Sequence, residues 1–384
     1  MVGPDGKQVR WGYGYGYIGK DRQEQGWRGW IFYPTPGNSF HDALMRSVNV
    51  MMDDLGLDGV FMDGFFAGYV RRWTYDLWDG HSADIDKNTK TIQRKIGSVL
   101  LLSQPSMIEF ARKIHDKGGI IIGNNTVFTR SIANEKYIIF DNECASGPQL
   151  HTAPVITALR GTSAAASTEK EIYFDMLEKL SWGACFLYFN ERIPLTYPSL
   201  AARQFPLTFE EIRSGMIKGR ERIITMNSGV FGWHGNRDLH VVHKYDQRGA
   251  PAAHDYLTTI DRSGVRTELE FNTNESAVIE PVPISLKTDS PVNVRILEYD
   301  DTSLKLRLNG RGQVTLSMFV GSFYPDVRDG VFLNGGINPL DVNIGTPYQV
   351  TTGNDMQILA DQDGTLHIPL TLDGEMEVAI EPAR

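Results

Sequence analysis

Short apolar runs and helical stripes take turns along the first 234 residues. The runs are Trp30-Ile31-Phe32-Tyr33, Gly59-Val60-Phe61-Met62 before Asp63, and Ile120-Ile121-Ile122 before Gly123-Asn124-Asn125. Three more follow: Tyr137-Ile138-Ile139-Phe140 before Asp141, Ala184-Cys185-Phe186-Leu187 before Tyr188-Phe189-Asn190, and Gly229-Val230-Phe231-Gly232-Trp233. Charge-free runs of this length predict strands buried on both faces. Between them lie four helix signals. Ser39 to Leu55 puts Leu44, Val48, Met51, Met52 and Leu55 on one face, with Ser39 and Asp42 as its cap and Gly56 as its stop. Gln104 to Lys117 has Ser103 as cap, Pro105 in the first turn and Gly118 as stop. A third helix starts at Thr168, with Glu171 in the capping-box position and Ile172, Met176 and Leu180 on one stripe. A fourth starts at Thr208 with Glu211. Strands separated by helices predict a parallel sheet with polar residues gathered at the strand exits.

Beyond residue 235 the period changes to two. Leu304, Leu306 and Leu308 alternate with polar residues up to Asn309-Gly310, and Val314, Leu316 and Met318 alternate after it. Leu366, Ile368, Leu370 and Leu372 lead to Asp373-Gly374, then Met376, Val378 and Ile380. Both stretches predict hairpins with type I′ turns. The expected α/β architecture is therefore a (β/α)8-type barrel over residues 1–234 and an antiparallel β-sandwich over 235–384. Six strands are visible where a barrel needs eight, so the barrel is expected to be incomplete at its N-terminus.

A net charge of −9 argues against nucleic acid or an anionic membrane as a partner. No apolar run is long enough to span a bilayer and none reads as a secretory leader. A chain truncated ahead of the first barrel strands would belong to the periplasm or the exterior. Two cysteines, Cys144 and Cys185, give neither a disulfide framework nor metal spacing, and no cofactor is expected.

The candidate chemistry sits at the strand exits. Asp63 follows an apolar run and precedes Gly64, a placement that is costly without a partner or a task. Asp141 and Glu143 are two residues apart and so face one side of an extended strand. Together the three carboxylates suit a pair in which one group donates a proton and the other attacks or activates water. Asn124, Asn125, Tyr188 and Asn190 supply amides and phenols for sugar hydroxyls. The segment from Phe65 to Leu102 is too long for an ordinary connection. It carries Tyr69, Arg71, Arg72, Trp73, Trp78, Asp79 and His81, a mixture of rings and charges that suits a carbohydrate subsite. Asp84-Ile85-Asp86-Lys87-Asn88 opens like a calcium loop but lacks the glycine and the distal glutamate, and reads as a solvated turn.

These residues resemble the α-galactosidase-like superfamily of glycoside hydrolases, whose barrels carry an Asp nucleophile at the end of strand four and an acid/base at the end of strand six. Asp63 matches the first position, and Glu143 or Asp141 the second. The resemblance implies a retaining glycosidase acting on an oligo- or polysaccharide, with Asp63 as nucleophile and Glu143 as acid/base. Two other classes compete: a non-catalytic carbohydrate-binding protein on a degenerate barrel, and a metal-dependent hydrolase using Asp63, Asp141 and Glu143 as hard ligands.

Overall fold

The structure is a computed structural model. It describes residues 1–10, 29–65, 69–124, 129–141, 154–158, 168–187, 196–252, 256–261, 263–299, 303–320, 327–328, 331–332, 347–352, 355–362 and 364–383. The chain divides into two compact units, Met1–Glu143 and Cys144–Arg384.

In the first unit, α1 spans Ser39–Asn49. Its cap is Asn38, whose Oδ1 accepts from the His41 backbone N–H at 2.8 Å, one residue ahead of the expected Ser39. The expected continuation to Leu55 is a π-helical turn, Val50–Asp54. The strands β1 (Gly59–Met62), β2 (Trp73–Thr74), β3 (Ala83–Ile85), β4 (Ile92–Lys95) and β5 (Gly97–Ser98) follow. Next come α2 (Val99–Asp116), β6 (Ile120–Asn124), α3 (Arg130–Ala133) and β7 (Ile138–Asp141). Helix α2 begins five residues before the expected Gln104 because Val99 and Ser103 continue the buried stripe of Met107, Phe110 and Ile114 backwards. Ser103, expected as the cap, is an interior residue whose hydroxyl donates to the Val99 carbonyl at 2.7 Å. The His41 ring meets Ser106 Oγ at 3.0 Å, tying α1 to α2.

Strands β1 and β7 flank β6, and both pairings are parallel. The centre of this sheet matches the expected burial: Ile121, Ile138 and Phe140 are buried. Strand β1 does not, since its Phe61 is 54% exposed. The run at Trp30–Tyr33 forms no strand. It makes one isolated bridge, Arg10 with Trp30, and buries only Ile31 and Tyr33 against Met1 and Val99.

In the second unit, β8 (Val155–Ala158) and β9 (Cys185–Leu187) pair in parallel, with α4 (Glu169–Ser181) between them in sequence. The following strands are β10 (Phe209–Arg213), β11 (Met216–Gly219), β12 (Ile223–Thr225), β13 (Gly229–Phe231) and β14 (Asp238–Tyr245). Then come β15 (Pro251–Ala252), β16 (Leu257–Asp261), β17 (Gly264–Leu269), β18 (Ser276–Thr288), β19 (Val292–Tyr299) and β20 (Leu304–Phe319). The last are β21 (Val327–Arg328), β22 (Val331–Phe332), β23 (Pro347–Thr351), β24 (Asp355–Leu359) and β25 (Thr365–Pro382). Fourteen of these strands form one sheet whose pairings are antiparallel.

The barrel expectation is overturned. Among the described residues strand outweighs helix by 45% to 19%, no closed barrel forms, and the helices are too few to carry a βα alternation beyond the short parallel pairings. The physical reason is local. Thr208 was expected to cap a fourth helix with Glu211, but its N–H and hydroxyl both donate to Glu221, at 2.6 and 2.7 Å. The chain from Phe209 then runs as β10 into antiparallel β11, β12 and β18. The run at Gly229 likewise pairs antiparallel with β17. With no barrel there is no strand four or strand six, and the α-galactosidase-like resemblance falls with them.

The expected hairpins at Asn309-Gly310 and Asp373-Gly374 are also absent. Strands β20 and β25 run straight through both dipeptides, and Gly310 lies opposite Gly374. The buried residues resume in phase after the glycines, at Val314 after Leu308 on one strand and at Val378 after Leu372 on the other, so both arms turn the same face to the core although Arg311–Gln313 between them are exposed. The glycines let the ribbon bend, with Gly312 and Gly374 at φ +104° and +109°. Its first arm pairs β19 and its second arm pairs β18. Leu304, Leu306, Val314, Leu316, Ile368, Leu370, Val378 and Ile380 from both arms fill one core with Ile284, Val292 and Tyr348.

Candidate functional site

The exits of β1, β6 and β7 place three polar side chains along one sheet edge in the first unit. Asp63 follows the last residue of β1, Asn124 ends β6 and Asp141 ends β7. Asn124 lies directly opposite Asp141 in the parallel register, so the two side chains leave the same face. The Asn124 amide Nδ2 donates to Asp63 Oδ1 at 2.8 Å. Asn124 and Asp141 are buried and Asp63 is exposed.

One residue that shapes this edge was missed in the sequence. A Cβ on Gly123 would sit 2.5–3.0 Å from atoms of the Phe65 side chain, whose ring is buried and lies 6.1 Å from the Phe140 ring. Gly123 therefore lets the turn after Asp63 fold back onto the sheet. A glycine inside a buried strand is the signal for such a close approach.

The other expected sugar-binding residues fall in two groups. Tyr69 packs against the cluster of Met1, Ile31, Tyr33 and Val99, and burial pushes its phenol up to about 12. Arg72 is half-buried, and its backbone carbonyl accepts from Val99 N at the start of α2. Trp73 lies on β2 opposite Ser98, with 42% of its surface exposed. Trp78 is 49% exposed, donates Nε1 to the Ser82 carbonyl at 3.1 Å, and has the Lys95 ammonium 4.0 Å from its ring centre. His81 is exposed, and its backbone N–H donates to Asp79. Asp79 also accepts from Ser82 and from Ser98 N. Burial would raise the Asp79 carboxyl, but these hydrogen bonds outweigh it and hold the group below the ordinary carboxylate range. Glu143, Asn125, Tyr188 and Asn190 lie outside the described residues.

The Asp84–Asn88 stretch forms the hairpin of β3 and β4. Asp84 pairs with Arg94 at 2.9 Å, and Asp86 Oδ1 accepts from the backbone of Asn88 and Thr89. Among the described residues no three His, Cys, Asp or Glu side chains are grouped to hold a metal ion. No helix among them is long and apolar enough to cross a membrane. No family model matches the sequence, and no curated protein matches it.

Proposed function

We propose that the chain is a glycoside hydrolase acting on an oligo- or polysaccharide, with Asp63 and Asp141 as its carboxylate pair. The observation that carries this reading is the Asn124 amide bonded to Asp63 at 2.8 Å while Asn124 lies in register with Asp141. The two acids thereby occupy different surroundings on one edge. A proton donor must start neutral, and burial favours the neutral form of a carboxyl, so Asp141 is the donor to the glycosidic oxygen. Asp63 is exposed and acts as the base that activates water.

The separation of the two carboxyl groups decides between inversion and the retaining chemistry expected with Glu143. Neighbouring strands lie about 4.8 Å apart, which separates the β1 and β7 backbones by roughly 9–10 Å. Inverting pairs need about 6.5–9.5 Å between carboxyl groups, whereas retaining pairs need about 5–5.5 Å. The exposed rings of Trp73 and Trp78 supply apolar surface for sugar faces.

The test is turnover of a panel of aryl glycosides and soluble polysaccharides by the wild type, Asp63→Asn and Asp141→Asn, with the anomer of the first-formed product read by proton NMR. Each substitution should lower kcat by about 10²-fold or more, the scale of a lost acid or base. An inverted product marks a wide carboxyl pair and a retained product a close one. Turnover unchanged in both variants would dismiss the pair. Sugar binding with no turnover of any substrate would make this a binding protein.

A further inference from the structure

The sheet of the second unit carries a groove of about 520 Å³. That volume lies within the roughly 300–1,000 Å³ of small-molecule sites. It crosses β17, β16, β19, β20 and β25, and its polar lining is set by register. Asn293 of β19 faces Asn309 of β20, which faces Glu375 of β25. Two residues along, Arg295 faces Arg307. Two guanidinium groups opposed across a strand pair repel each other, and such a pairing is destabilising unless other groups compensate. Arg307 meets Glu377 at 2.7 Å and Glu375 at 3.6 Å. Glu268 and Glu270 line the opposite wall. Along the base, Leu257 is 45% exposed beside buried Val294.

This lining selects a ligand by elimination. Carboxylates of Glu268, Glu270 and Glu375 interleave with the guanidinium groups of Arg295 and Arg307, so neither an anion nor a cation meets a wall of one opposite sign. A wholly apolar ligand would strand the amides of Asn293 and Asn309. A sugar hydroxyl both donates and accepts. It is satisfied by a wall that alternates acceptor-only carboxylates, donor-only guanidinium groups and amides that do both. Thr259 Oγ1 donates to Asn293 Oδ1 at 3.1 Å, which fixes that oxygen as an acceptor and keeps the amide nitrogen as a donor. The exposed Leu257 gives the C–H face of a sugar ring an apolar seat.

We propose that this groove is a binding site for a neutral oligosaccharide, separate from the carboxylate pair of the first unit. The proposal stands on the chemistry of the groove and does not need the hydrolytic reading to hold. Affinity electrophoresis of the full chain tests it. The gels contain barley β-glucan, xyloglucan, xylan, galactomannan or soluble starch, with polygalacturonate as an anionic control, and Asp63→Asn is used to prevent cleavage. At least one neutral polysaccharide should retard the protein. Arg307→Ala and Leu257→Asp should each weaken that retardation at least tenfold. Leu257 is exposed, so its variant keeps the fold even if Arg307→Ala does not, and thermal melting checks both. Retardation by none of the five, by polygalacturonate alone, or as strong in both variants as in the unsubstituted groove would overturn the proposal.

Discussion

His240 makes the stability of the second unit fall in mild acid. It sits on β14 with 1% of its surface exposed, its Nδ1 lies 2.8 Å from Thr267 Oγ1, and the Trp233 ring stands edge-on at 5.1 Å. Its Nε2 is buried with no hydrogen-bond partner. Burial lowers the imidazole from 6.5 to about 4, so the native state holds it neutral while the unfolded chain takes up a proton. The unfolded state thus binds more protons between those two values. The stability from this group is complete above about pH 6.5, drains away as the pH falls towards 4, and loses nothing further below that. The whole difference is worth about 3 kcal/mol, of which about 2 kcal/mol is lost between pH 7 and pH 4.5. Urea unfolding at these two pH values, followed by far-ultraviolet circular dichroism, measures the loss in the wild type and in His240→Leu. Leucine fills a similar volume without titrating, and Thr267 keeps Thr258 as a partner at 2.8 Å. Carboxylates elsewhere titrate in both proteins and cancel in the comparison. The wild type should lose about 2 kcal/mol more than the variant over this interval. Equal losses would show that His240 is not held neutral by its surroundings, and the reasoning from its burial would fail.

Three further outcomes are expected. Thr168→Ala removes the side chain that accepts from Glu171 N at the start of α4, and should cost about 1 kcal/mol, seen as faster amide exchange in the first turn of that helix. Arg222, 3% exposed, pairs with Glu280 at 3.2 Å and donates to the Arg203 carbonyl at 2.6 Å, so Glu280→Leu alone should destabilise by about 3 kcal/mol because the buried guanidinium loses its paired carboxylate; Arg222→Met with Glu280→Leu should lose less in the same urea titration. Gly123→Ala should cost about 1–3 kcal/mol by driving Cβ into the Phe65 ring, and chemical-shift changes in a methyl or amide spectrum should concentrate at Phe65 and Phe140.

What the sequence made legible was local. Helix α4 was readable because its start lies in one four-residue device: Thr168 Oγ1 accepts from Glu171 N while Glu171 reaches back to Thr168 N. The same letters at Thr208 and Glu211 misled, because Thr208 is bound by Glu221, thirteen residues on, which no window of helical length contains. The dipeptides Asn309-Gly310 and Asp373-Gly374 carry the chemistry of a tight turn, but each is answered by the other across the sheet, a partner chosen by long-range register. The exits at Asp63, Asn124 and Asp141 were visible one by one as polar ends of apolar runs. That the Asn124 amide would reach Asp63 depended on β6 lying next to β1, which a sequence of runs does not order. Tyr69 reads as a free ring among charges and is instead held by Met1, Ile31 and Tyr33 from the other end of the unit. The groove of Arg295 and Arg307 left no motif at all, since its lining exists only once β19 meets β20.

The bent ribbon of β20 and β25 also governs when this protein can fold as it leaves the ribosome. Arg307 and Glu377 are 70 residues apart, and Ser317 and His367 are 50 apart, yet each pair meets across the ribbon. At a synthesis rate of roughly 5–20 residues per second, β20 waits several seconds with its second edge unpaired until β25 emerges. During that interval Leu304, Leu306, Leu308, Leu316 and Met318 have a neighbouring strand on one edge only, and the nascent chain displays a long apolar sheet edge on the other. Translation pauses before codon 365, or stop codons ahead of β25, should therefore send the polypeptide to chaperones or into aggregates, whereas interruptions after Pro382 should not.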